Sequence, residues 1–130
     1  MANPNIVSVS EIKGESIWEA LGAVGTDIMT IASNKLVKIN FISVANTHAT
    51  TACDVTVAVV KTGDITLTGV ASGEDNAGTF ELCSTLSCPA DDVLIVLEKP
   101  IYLMETDVLE AGAAPATADI FISYEVIAEV

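Results

Sequence analysis

The chain has 130 residues, of which 51% are hydrophobic and 18% are charged, a balance that excludes a disordered protein and predicts one folded domain. Eighteen acidic residues stand against five lysines, with no arginine, and the formal net charge is −13. Nucleic acids and anionic membrane surfaces both attract clustered cations, so this composition argues against either as a partner.

Neither end of the chain nor its interior predicts targeting to a membrane. Residues 1–5 (MANPN) have no basic or apolar region, so we expect no signal peptide. The longest strongly apolar run, residues 93–97, has the length of a strand and is far shorter than the ~18 residues that a spanning helix needs.

Apolar and polar residues alternate with a period of two along most of the chain, which predicts β-strands. Residues 16–23 are the one segment with near-helical spacing, and an extended conformation fits them equally well. In residues 35–46 we expect Val37, Ile39 and Phe41 to share one face, with the second half buried on both sides. The predicted strands are residues 35–46, 53–61, 65–70, 79–87, 93–97 (buried), 101–104, 107–111 and 118–127.

Loops separate these strands at regular intervals, the clearest being residues 71–78 and the small-residue stretch 112–117. Many short strands at such spacing predict an all-β, single-domain protein, either an antiparallel β-sandwich or a jelly roll. We assign residues 31–130 to the β-sandwich domain. Residues 1–30 form an N-terminal segment that we expect to act as a docking arm or an edge strand.

The three cysteines are Cys53, Cys83 and Cys88, and an odd count without a signal peptide favours reduced thiols. On a regular strand Cys83 and Cys88 point to opposite faces, so a bridge between them needs a bulge or a turn. Whether any pair forms a disulfide stays open. No Cys-x-x-Cys pair is present, so we expect these side chains to be buried, with no metal site and no cofactor.

Candidate catalytic groups are sparse, and we expect no catalytic residues and no enzyme. His48, the sole histidine, lies in a threonine-rich loop without a coupled nucleophile, and no Gly-x-Ser-x-Gly turn occurs. We expect a solvated acidic rim formed by the carboxylates of Glu98, Glu105, Asp107 and Glu110. An acid-dependent hydrolase is the weakest alternative. Calcium at residues 74–76 or 91–92 stays open, although neither segment has the spacing of a calcium loop.

Several blocks of sequence carry a resemblance to a known family. They are LVKINFISVAN (36–46) with ACDVTV (52–57), SCPADDVLIVLEK (87–99), and IYLMETDVL (101–109) ending in ISYE (122–125). In this order the blocks resemble a recurrent family of small virion structural proteins from tailed marine bacteriophages of the cyanophage type. The chain departs from that family in its longer segment 65–78 and in its cysteines.

The resemblance implies a component of the virion, assembled in the host cytoplasm, and it carries over no catalytic residues. Our hypothesis is a capsid decoration (cement) protein that binds the major capsid protein or other virion proteins, as a homotrimer by analogy. The alternative is a tail, neck or fibre module that binds a receptor or glycan, against which the 5% aromatic content counts. As partner-binding residues we select Ile6, Ile17, Trp18 and Leu21, which precede the regular alternation.

Overall fold

The computed structural model describes residues 11–62 and 77–128, and in these ranges the chain forms two antiparallel β-sheets packed face to face, with no helix. The prediction of an all-β sandwich is therefore confirmed. The strands are β1 Glu11–Ala20, β2 Thr26–Thr30, β3 Lys35–Asn46, β4 Cys53–Lys61, β5 Gly78–Cys88, β6 Asp92–Leu97, β7 Ile101–Leu103, β8 Val108–Ala114 and β9 Ala118–Ala128.

The strand pairing is nested: strands from the middle of the chain pair with each other, and strands from its two ends pair with each other. In the first sheet the order is β1-β9-β3-β6, with β7 also paired to β3, and in the second sheet it is β2-β8-β4-β5. Thus β4 pairs with β5, β3 with β6 and β7, β2 with β8, and β1 with β9. This nesting is the strand arrangement of a jelly roll. It also makes β1 and β2, both from residues 1–30, the edge strands of the two sheets.

The core lies between the inner faces of the two sheets. It is built from branched aliphatic side chains, which fit a pleated surface well and each gain about 1.5–3 kcal/mol from full burial. The largest fully buried ones include Ile39, Ile42, Val44, Ile120 and Ile122 from the first sheet and Val55, Val57 and Leu109 from the second.

A bulge in β3 overturns one expectation from the alternation. The register runs from Ile39 opposite Tyr124 directly to Phe41 opposite Ser123, so Asn40 is the extra residue. The face therefore switches: Ile42 joins Val37 and Ile39 in the core, while Phe41 turns to the outer side. The prediction that Phe41 shares their face was wrong, because one extra residue moves every later side chain to the other face.

Other elements agree with the predictions from the sequence to different degrees. Residues 16–20 are extended in β1, so the helical alternative is wrong for these residues. Strand β8 continues to Ala114, so the predicted loop 112–117 shortens to residues 115–117. The predicted strand 65–70, most of the predicted loop 71–78 and Ile6 lie outside the described residues.

Candidate interaction face

The outer face of the first sheet carries a row of large exposed side chains across its strands. Trp18 on β1 lies directly opposite Phe121 on β9, Phe121 opposite Ser43 on β3, and Ser43 opposite Ile95 on β6. Trp18 is 69% exposed, Ile95 54% and Phe121 41%. Because directly opposed side chains on one face of a sheet touch, Trp18 and Phe121 form one continuous apolar surface.

Three more exposed apolar side chains lie on the same outer side of the first sheet. Register places Val93 opposite Ala45, Ile12 opposite Ile127, and Tyr102 opposite Lys38, all on the outer side. The outer face of an antiparallel sheet is ordinarily polar, so a grouping of this kind is a candidate interaction site. We call it the apolar face, defined by Ile12, Trp18, Val93, Ile95, Tyr102 and Phe121.

The outer face of the second sheet is different in character. Asp27 on β2 lies opposite Glu110 on β8, and the same row continues through Ala58 on β4 to Glu81 on β5. Asp54 lies on the same side of β4. Like charges placed opposite each other repel, and the ion pairs formed by Lys13, Lys38 and Lys61 go to other carboxylates. We call this surface, defined by Asp27, Asp54, Glu81 and Glu110, the acidic face.

The residues selected from the sequence for partner binding fall in different places. Trp18 stands at one end of the apolar face. Ile17 faces the core opposite Ile122, and Leu21 is buried, with its amide donating to the carbonyl of Ala118 at 2.9 Å. Of the three that the structure describes, Trp18 alone is on an exposed face.

Sequence reasoning missed the partners of Trp18. Residues 93–97 were expected to form a buried strand, but Val93 and Ile95 are exposed, so that expectation was wrong. The reason is that β6 is an edge strand whose outer side nothing among the described residues covers. The signal for Phe121 was present, since the alternation of β9 sets it on the face opposite Ile120 and Ile122.

Asp107 was expected to belong to a solvated acidic rim, and for this residue the expectation was wrong. Its side chain is fully buried, binds the ammonium group of Lys61 and accepts a hydrogen bond from the amide of Met104 at 2.8 Å. Glu105 instead accepts from the amide of Asn34, and Glu110 lies on the acidic face. Asp107 thus stabilises the turn before β8, which is a structural role.

The side chain of His48 is hydrogen-bonded to the backbone of its own loop. Its Nδ1 accepts hydrogen bonds from the amides of Thr50 and Thr51 at 3.1 and 3.0 Å, and so stabilises the turn between β3 and β4. Among the described residues, no three His, Cys, Asp or Glu side chains are grouped as a metal site requires.

A cleft of about 260 Å³ opens between the edge strands β1 and β2. Several of its polar groups contact one another: Lys13 contacts Glu11 at 2.9 Å, and the hydroxyl of Tyr124 donates to Glu15 at 2.7 Å. Burial, together with this hydrogen bond to Glu15, raises the pKa of Tyr124 to about 12. The phenol therefore stays protonated at neutral pH.

Comparison of the chain with protein-family models, with curated proteins and with solved structures finds no match. None of the described residues belongs to a helix that is long and apolar enough to cross a membrane.

Proposed function

We propose that the protein is a structural component of a phage virion, most specifically a capsid decoration protein that covers the shell of major capsid protein. The observation that carries this proposal is the contrast between the two outer faces of the sandwich. Six of the large exposed apolar side chains lie on the outer side of the first sheet, whereas the outer side of the second sheet carries the row of Asp27, Glu110 and Glu81. A protein that coats a particle needs one surface to dock and one to face the solvent.

Each face suits one of these tasks physically. Docking the apolar face removes the surface of Trp18, Phe121 and Ile95 from water, which stabilises the contact by roughly 25 cal/mol per Å² of apolar area. Large, central aromatic residues dominate the energetics of such interfaces. The acidic face, directed away from the shell, keeps coated particles apart by electrostatic repulsion.

Charge complementarity supports a shell as the occupant of the apolar face. A chain of net charge −13 is attracted to a shell that carries basic groups around the docking position. The jelly-roll arrangement is shared by many viral capsid domains, which supports the assignment by analogy alone. In the proposed role the chain has no catalytic activity and needs no cofactor.

The homotrimer remains part of the proposal, since decoration proteins often occupy threefold positions of a shell. Sedimentation velocity on the free protein tests it directly. The proposal expects a species of three times the chain mass of 13.5 kDa, and a strict monomer both in solution and on the particle contradicts it.

Co-sedimentation with empty heads tests the docking role. The heads come from the phage that encodes the protein, and the wild type is compared with Trp18→Ser and with Phe80→Ser. Phe80 is a matched control because it is 67% exposed and lies on β5 of the second sheet. Loss of a large aromatic anchor commonly costs more than about 1.4 kcal/mol, so Trp18→Ser should weaken binding at least about tenfold.

The outcomes of this experiment are distinct. Binding by the wild type and by Phe80→Ser, with weak binding by Trp18→Ser, supports the proposal. Absence of the wild type from the heads contradicts decoration, and equal losses in both variants contradict the use of the apolar face.

One observation favours the second candidate, a tail, neck or fibre module that binds a glycan. Trp18 and Phe121 lie side by side and exposed, as in an aromatic platform on which a sugar ring packs, and jelly rolls also occur in lectins. A glycan array probed with the isolated protein separates the two candidates. Glycan binding that depends on Trp18, without binding to heads, would reverse their order.

A further inference from the structure

Two of the three cysteines form a directly opposed pair. Cys53 begins β4, Cys88 ends β5, and the register of the two antiparallel strands sets them opposite each other. Both side chains are buried, and the thiol of Cys88 donates toward the carbonyl of Asp92 at 3.5 Å. Both thiols are reduced in this structure.

The backbone geometry of such a pair suits a disulfide. Directly opposed residues in antiparallel strands have Cα atoms about 4.5–5.5 Å apart, within the range of about 4.4–6.8 Å that disulfides span. Their side chains also leave the sheet on the same face. No movement of one strand relative to the other is needed to join them.

Asn46 holds the backbone on both sides of this pair. Its buried side-chain amide donates to the carbonyl of Cys88 at 3.1 Å and to the carbonyl of Thr51, two residues before Cys53, at 2.9 Å. The strand ends that carry the two thiols are therefore tied to β3. This anchoring keeps the pair in register.

Cys83 is near the same core but has a different partner. Two residues, Ser84 and Thr85, lie between Cys83 and Leu86 on β5, whereas only Thr56 lies between their partners on β4. This bulge, where Thr85 has a φ of 45°, turns Cys83 to the inner face and pairs it with Val57. The opposite faces expected for Cys83 and Cys88 on a regular strand therefore do not occur, because this bulge lies between them. The Cys83 thiol donates toward the carbonyl of Val55 at 3.6 Å.

We propose that Cys53 and Cys88 form an intramolecular disulfide when the folded protein meets a disulfide oxidant such as oxidised glutathione. One cysteine thiolate attacks the oxidant, forms a mixed disulfide and releases one glutathione. The second cysteine thiolate attacks the protein sulfur of that mixed disulfide and releases the second glutathione. Two protons and two electrons thus pass from the protein thiols to the oxidant, and one S–S bond replaces another.

The burial of the pair determines how this reaction proceeds. Burial raises the pKa of the Cys88 thiol, so little thiolate is present at neutral pH and exchange requires local opening at the strand ends. Once formed, the bond is shielded from reductants by the same burial. Formation of this disulfide does not depend on the proposed function, because it involves only the oxidation of the Cys53 and Cys88 thiols.

The disulfide should stabilise the protein measurably. It closes a loop from residue 53 to residue 88, and cross-links of this size restrict the unfolded chain. We expect oxidation to raise the Tm by about 5–15 °C, a gain that dithiothreitol reverses.

Peptide mass spectrometry under non-reducing conditions tests the proposal on the full-length protein. The protein is incubated with oxidised and reduced glutathione, quenched by alkylation in denaturant and digested. We expect a mass loss of two hydrogen atoms and a peptide that links Cys53 to Cys88. Cys83→Ser should behave as the wild type does, whereas Cys53→Ser and Cys88→Ser should lose both the cross-link and the gain in Tm.

Several results would overturn the inference. They are an unchanged wild-type mass, a cross-link that contains Cys83, a disulfide between two chains, or a Tm that falls on oxidation. The wild-type mass decides the matter by itself, so a cysteine variant that fails to fold does not weaken the test.

Discussion

Lys61, at the end of β4, binds the fully buried carboxylate of Asp107, at the turn before β8. The pair joins two neighbouring strands of the second sheet at the end where the chain leaves β4. A carboxylate removed from water in this way depends on its one cation, because an unpaired buried charge is costly.

Replacing Lys61 therefore tests this dependence. We expect Lys61→Met to lower the free energy of unfolding by about 3–5 kcal/mol, measured by urea denaturation. Lys38→Met is the matched control, since Lys38 pairs with the partly exposed Glu125 at 3.7 Å and should cost less than about 1 kcal/mol. Equal losses in the two variants would show that the Lys61 pair has no special role.

Gly112 allows the chain to cross closely over the second sheet. A Cβ built at this position would lie 2.9 Å from the amide nitrogen of Gly25 and 3.0 Å from its Cα, so backbone would have to move. Gly112→Ala should lower the free energy of unfolding by about 1–3 kcal/mol. Gly14→Ala, on β1, meets no atom within 4 Å and should be neutral or slightly stabilising. Thermal unfolding of the two variants side by side checks this contrast.

The side chain of Asn46 makes four hydrogen bonds in a buried position. Besides its two donations, its Oδ1 accepts from the amide of His48 at 3.1 Å and from the hydroxyl of Thr117 at 2.9 Å. Asn46→Asp keeps the shape and these two acceptor contacts but sets an oxygen against two carbonyls. We expect it to cost about 2–4 kcal/mol in urea denaturation. A loss below about 0.5 kcal/mol would contradict the assigned network.

The ionisation of Tyr124 makes the stability of the folded protein fall with rising pH in the alkaline range. Its pKa rises to about 12 in the folded protein, against 10.0 for an unperturbed tyrosine, because burial and the hydrogen bond to Glu15 both disfavour the phenolate. A raised folded-state pKa contributes stability that is fully present below pH 10 and is lost as the pH rises toward 12. Tyr124→Phe should flatten the fall in Tm across this window.

Tyrosinate absorbance measures the same effect. In a Tyr102→Phe variant Tyr124 is the only remaining tyrosine, so its titration is observed alone. The midpoint should lie near pH 12 and should move down in Glu15→Gln. A midpoint at the ordinary value in the folded protein would contradict the hydrogen bond between Tyr124 and Glu15.

The sequence predicted those parts of the fold that depend on alternation within one strand. In β9, Ile120, Ile122 and Tyr124 lie inside as the pattern required. The bulges at Asn40 and before Leu86 were not predictable, because an extra residue is tolerated only where the neighbouring strand and its side chains allow it. No local pattern contains that information.

The candidate site was predictable only in part for a related reason. Trp18 stood out as the single tryptophan in the N-terminal segment, but its neighbours on the apolar face come from β9 and β6. The pairing of Trp18 with Phe121 joins residues far apart in the sequence. The exposure of Val93 and Ile95 follows from the position of β6 at a sheet edge, which is a property of the whole fold.

The orientation of the protein on a particle shows whether the apolar face is the surface that docks on the shell. A cryo-imaging reconstruction of empty heads with the protein added, compared with heads alone, would show which sheet faces the shell. We predict added density on the outer surface, with Trp18, Phe121 and Ile95 against the shell and the acidic face toward solvent. Density with the acidic face against the shell, or heads that gain no density, would contradict this account.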